Sequence, residues 1–139
     1  GYGVIDLEKV VESSQYLKQQ NASLEASIKP QASKLEQLNK ELATLQKQSQ
    51  TQGANLKQIE TQYQAKMTEF TTLQQSIQSR VQTTIQNTNK TFEARVKQAA
   101  EQLRQENSLD LVLNKNAALA FDSKYDLTAK MIQKVNAIK

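Results

Sequence analysis

Two apolar stripes at helical spacing, separated by a stretch without a large apolar residue, restrict this chain to a small set of folds. Leu24, Ile28, Leu35, Leu38, Leu42 and Leu45 recur at intervals of three, four and seven. Leu56, Ile59, Tyr63, Met67, Phe70, Leu73, Ile77, Val81, Ile85, Phe92, Val96 and Leu103 continue the pattern. Each stripe is as narrow as a coiled-coil seam, so each helix is expected to be wet on its remaining faces. Residues 46–55 between them are polar or small and contain Gly53. An antiparallel pair would set residues of constant index sum against each other. Leu45 with Leu56, Leu42 with Ile59, Leu38 with Tyr63, Ile28 with Leu73 and Leu24 with Ile77 share one such sum. The pattern therefore predicts a helical hairpin over residues 14–89, with its tip near 46–55, and not one continuous rod. At ~1.5 Å per residue its paired part is roughly 50 Å long.

Inside the first helix, Pro30 removes a backbone hydrogen bond, and small Ala32 leaves room for Phe70 on the partner helix. Pro30, Ala32 and Phe70 are thus the candidate hinge of the arm. Toward the base, Ser13 and Ser14 fall opposite Thr88 and Asn89, a polar layer at which Ser14 can cap the helix that follows.

The two ends read differently. Gly3 to Leu7 is strand-like. Leu109, Leu111 and Leu113 alternate with Asp110 and Val112, residues 114–116 offer turn chemistry, and 117–122 extend again with Leu119 and Phe121 on one face. This predicts a β-hairpin. Asp126 is placed to cap a closing helix whose Leu127, Met131, Ile132, Val135 and Ile138 form one apolar face. Residues 1–13 and 90–139 are therefore expected to form a small β-body with Val4, Ile5, Leu109, Leu111, Leu113, Leu119 and Phe121 at its core. The fold class is α+β, mostly α. A body of this size, without disulfide or metal, is marginal for independent stability, and those residues are expected to serve oligomerisation.

Composition limits the chemistry. The 139 residues are 37% hydrophobic and 5% aromatic, which does not supply one large globular core. With no Cys and no His, thiol nucleophiles, soft-metal sites and Ser-His-Asp triads are excluded. The carboxylates are scattered, and no phosphate-binding loop is present. No enzymatic activity, cofactor or metal is expected. The net charge of +4 is mild and spread out, so no nucleic-acid partner is expected. Arg80, Lys90, Arg95, Lys97 and Arg104 make the lower second helix basic, but Glu93, Glu101 and Glu106 interleave with them, as on an ordinary solvated face. The 21 glutamines are compatible with helix and keep the surface wet. No apolar run approaches the length of a membrane span. Gly1 is not a translation start, so the chain is expected to be a processed or trimmed form from which an upstream targeting segment has been lost.

The segment Gly3-Val-Ile-Asp-Leu-Glu-Lys-Val-Val-Glu-Ser-Ser14, the long helical hairpin, Leu109-Asp-Leu-Val-Leu113 and the closing Tyr125-Asp-Leu-Thr-Ala-Lys-Met-Ile132 together resemble the Skp/OmpH family of periplasmic chaperones. The resemblance spans the chain, and its specific parts are the two ends. It implies a homotrimer with a β-barrel-like body and three helical arms around a cavity. It also implies a periplasmic, ATP-independent holdase for unfolded outer-membrane proteins. Ala129 stands where an acidic residue would complete a capping box. The family's link to lipopolysaccharide or anionic lipid is implied as well, without residues that carry over, and no client-binding residue can be named. The alternatives are a prefoldin-like cytosolic chaperone and a coiled-coil adaptor for one defined partner.

Overall fold

The computed structural model describes residues 1–139. Its elements are β1 (Tyr2–Ile5), α1 (Leu7–Glu12), α2 (Gln15–Ser49), α3 (Leu56–Glu106), β2 (Leu111–Asn114) and α4 (Thr128–Ala137), with short 3-10 turns at Lys115–Ala117 and Ser123–Tyr125. The chain is mostly helical, as its sequence pattern indicates, with one small strand pair. It divides into two compact units, one of Gly1–Asn21 with Gln86–Lys139, the other Ala22–Ile85.

The second unit is the helical hairpin. Ser27, Lys34 and Glu41, spaced seven residues apart on α2, reach Arg80, Glu69 and Lys66 on α3. Rising numbers on one helix meet falling numbers on the other, so the two helices run antiparallel. Leu38, Leu42 and Leu45 are buried in the seam. Gly53 turns the chain with φ of 81°, a conformation in which a Cβ is disfavoured, and Asn55 caps α3 by accepting from the Gln58 amide at 3.2 Å. α2 is continuous through Pro30.

In the first unit, Ile5, Val10, Phe92, Ala99, Leu103, Met131 and Val135 form the buried core. Leu7, Leu17, Val96, Val112, Leu127 and Ile132 pack against it. β1 and β2 pair in parallel, Tyr2 with Leu111 through Ile5 with Asn114. A Cβ at Gly3 would lie 2.8 Å from Leu127 Cδ1 and 2.9 Å from Leu109 Cδ1, so a larger residue there would make those two side-chain ends shift.

The expected β-hairpin over 109–122 is not formed. A two-residue hairpin turn needs positive φ at its centre, and apart from Gly53 the positive-φ residue is Ser108, ahead of the strand. The chain after β2 instead enters a 3-10 turn, and Asn114 uses its side chain to accept from the Leu7 amide. Ala118 to Asp122 belong to no strand. The outer edge of β1 is met near Asp126, where the Leu127 amide donates to Val4 O at 2.8 Å.

Long-range side-chain caps hold the first unit together. The Asp6 amide donates to Thr128 Oγ1 at 2.9 Å. Asn136 accepts from the Gln15 amide at 3.0 Å and donates to Ser13 O at 3.1 Å, so a side chain near the end of α4 satisfies the junction between α1 and α2. Ser14, buried, accepts from the Leu17 amide as its sequence position suggested. Asp126 accepts from both the amide and the hydroxyl of Thr128, the first residue of α4. α3 ends in a Schellman arrangement, with the Leu109 amide on Arg104 O at 2.8 Å and the Ser108 amide on Gln105 O at 3.3 Å. Ser108 fills the left-handed position with φ of 52°, where glycine is the ordinary occupant.

Two outcomes in urea unfolding at fixed protein concentration follow from these caps. Asn136→Ala, which orphans a helix-start amide and a carbonyl, should cost about 1–2 kcal/mol. Ser108→Gly should add about 0.5–1 kcal/mol by relieving the left-handed backbone.

Candidate functional site

The first unit exposes a set of large apolar side chains. Val4 and Ile5 are buried, while Leu109, Leu111 and Phe121 are half-buried. Leu113 is exposed, and Leu119 is fully exposed, together with Tyr2, Val11 and Tyr125. The seven body residues singled out in the sequence thus separate into an internal pair, a partly covered group and an uncovered group. The core proper relies more on Val10, Leu103, Met131 and Val135. β2 has β1 as its one strand neighbour, leaving its other edge open.

In the hairpin unit, Pro30 and Ala32 are exposed and Phe70 is half-buried. The seam position between Leu24 and Leu38 is occupied by Gln31, whose side-chain oxygen is buried without a hydrogen-bond partner. The expected seam of α3 is corrected at three places: Leu56, Met67 and Ile85 are exposed. Lys66 takes the place assigned to Met67. It is half-buried and pairs with Glu41 at 2.5 Å, and Glu41 Oε2 is sealed from solvent. Glu41 Oε1 accepts from Gln37 Nε2 at 3.0 Å. The signal for this arrangement is in the sequence: Ile59 and Tyr63 begin a four-three alternation whose strict continuation is Lys66, Phe70, Leu73 and Ile77.

Much of the basic side of α3 is engaged by its surroundings. Arg80 donates to Ser27 O, Arg95 lies over the Tyr16 ring, and Lys97 pairs with Glu93. Arg104 binds Glu101 and the carbonyl of Leu109. No group of three or more metal-ligating side chains is assembled, and no helix is long and apolar enough to cross a membrane.

Comparison with known proteins gives a consistent outcome. Residues 1–135 match the family described as outer membrane protein (OmpH-like), and the chain belongs to that family. Its fold is similar to that of an OmpH-like protein from Caulobacter crescentus CB15 that has been proposed to be an outer membrane chaperone. The TM-score is 0.81 at 21% identity, covering 99% of this chain and 84% of that one. No curated protein matches the sequence.

The Glu41–Lys66 pair has a defined pH window. The Lys66 ammonium holds the Glu41 carboxyl below its ordinary 4.5, and Glu41 in turn holds Lys66 above its ordinary 10.5. A lowered carboxyl contributes stability above its unfolded pKa and loses it as pH falls through the folded value. A raised ammonium contributes below its unfolded pKa and loses it as pH rises through the folded value. The difference in thermal midpoint between the unaltered chain and Glu41→Gln, followed by circular dichroism, should therefore be flat from about pH 5 to 10 and shrink in acid.

Proposed function

We propose that this protein is an ATP-independent periplasmic holdase that binds unfolded outer-membrane proteins and keeps them from aggregating in transit. The observation that carries the reading is the family match over residues 1–135. The relative from Caulobacter supports it through its fold. Physically, a holdase needs reach and many weak contacts, without a deep pocket or a bond-making group. The hairpin offers Leu56, Met67 and Ile85 on a glutamine-rich exterior, a surface suited to brief contact with apolar segments.

The working assembly in this reading is a homotrimer joined through the first unit. A parallel strand pair is ordinarily covered on both faces, and here the open edge of β2 lies in a unit that also exposes Leu113, Leu119, Tyr2 and Tyr125. A second and third copy would cover this apolar surface. Lipopolysaccharide or anionic lipid remains a further partner of this reading.

Two measurements test it. Light scattering should give a mass near three times 15.7 kDa. Because Leu119 is fully exposed, Leu119→Asp should lower that mass while leaving helical circular dichroism intact. The chain should suppress the turbidity of a urea-unfolded outer-membrane β-barrel on dilution, without nucleotide. Equal turbidity with and without it refutes the holdase reading.

A further inference from the structure

We propose that Glu41 and Lys66 form a rotational latch that sets which face of α3 turns into the helical hairpin. This inference concerns the hairpin unit alone and stands independently of the holdase reading.

The sequence of α3 holds two overlapping stripes. One is Tyr63, Lys66, Phe70, Leu73 and Ile77; the other exchanges Lys66 for Met67 and continues to Ile85. Hydrophobic periodicity favours the second, but the structure adopts the first, with Lys66 half-buried and Met67 exposed. At ~100° per residue, Leu56, Met67 and Ile85 fall within about 20° of one another around the helix. They form one face, and a turn of α3 by less than the ~100° between neighbours would carry all three toward α2 together. Burial of three apolar side chains opposes the observed setting.

What holds that setting is a polar ladder on one side of the seam. Ser27, Lys34 and Glu41 stand at seven-residue intervals on α2 and meet Arg80 at 3.4 Å, Glu69 at 3.8 Å and Lys66 at 2.5 Å. The last contact is the shortest, and it contains a carboxylate oxygen sealed from water. Turning Lys66 out would leave that oxygen buried without its cation, the costly way to break a partly desolvated pair. A polar group placed at a helix seam is also a well-attested means of fixing how two helices register. Gln37 reinforces it by holding the other Glu41 oxygen. The consequence is that Leu56, Met67 and Ile85 stay on the outside of the hairpin.

Because the chain has no cysteine, Met67→Cys introduces a single thiol whose maleimide labelling rate reports the setting directly. In this background Glu41→Leu leaves Lys66 unpaired in the seam, so α3 should turn and labelling should slow by at least about 2-fold, the lower end of coupling between contacting residues. The reversed pair, Glu41→Lys with Lys66→Glu, should restore the rate. Glu41→Leu combined with Lys66→Leu, which seats apolar groups in the observed setting and leaves no charge unpaired, should leave labelling fast. Ile85→Cys, eighteen residues along the same face, should respond as Met67→Cys does. Should Glu41→Leu reduce helicity, Glu41→Gln takes its place with the same expectation. Labelling that is unchanged or faster on loss of Glu41 alone, or that slows equally when Glu41→Leu and Lys66→Leu are combined, overturns the latch.

Discussion

The structure depends on closure of the first unit by residues more than a hundred positions apart in sequence. β1 pairs in parallel with β2, and the first residues of α1 and α2 receive their caps from Thr128, Asn114 and Asn136. A helix start leaves several amides without partners, and a buried one is expensive. Local sequence supplies part of the remedy here, through Asp6 and Ser14. The remainder comes from the last quarter of the chain, so α1 and the start of α2 are satisfied only after α3 has returned and β2 and α4 have docked. The apolar contacts follow the same logic: Val10 and Ile5 share a core with Leu103, Met131 and Val135.

The hairpin unit obeys a different economy. Its contacts are local in the sense that each layer joins one stretch of α2 to one of α3, and its seam is narrow, with Leu38, Leu42 and Leu45 the buried apolar residues on α2. Such a seam sets direction well and rotation poorly, so the contacts at Ser27 and Lys34, which are exposed, add little beyond the pair at Glu41. The pair at Glu41 differs from an exposed ion pair in that one oxygen is sealed from solvent.

These two economies explain what was legible in the sequence. The hairpin was readable because helical period, the Gly53 turn and antiparallel pairing all leave marks in one dimension. Its rotational setting was not, because intervals of three and four are equally helical, and Met67 beside Lys66 made the apolar choice attractive while the charge that decides it lies on another helix. In the first unit, the strand at Leu111–Asn114 was visible from its alternation, but its partner was not: a period of two shows that a strand has a face and says nothing about which strand it joins. Assigning residues 117–122 as that partner followed from the alternation of Leu119 and Phe121, which turns out to belong to a segment with no strand. The closing helix was recognisable from its apolar face, whereas the capping roles of Asn114 and Asn136 have no local signature, since their partners are remote.

The central claim is that the amides of Asp6, Leu7 and Gln15 are locked by side chains from the far end of the chain. Native-state hydrogen exchange measures this residue by residue. The account predicts that these three amides exchange only through the opening that also releases the Leu127 amide from β1, with protection matching the core of the first unit. Fast exchange at Leu7 and Gln15, as at ordinary frayed helix starts, while the Leu127 amide stays protected, would contradict it.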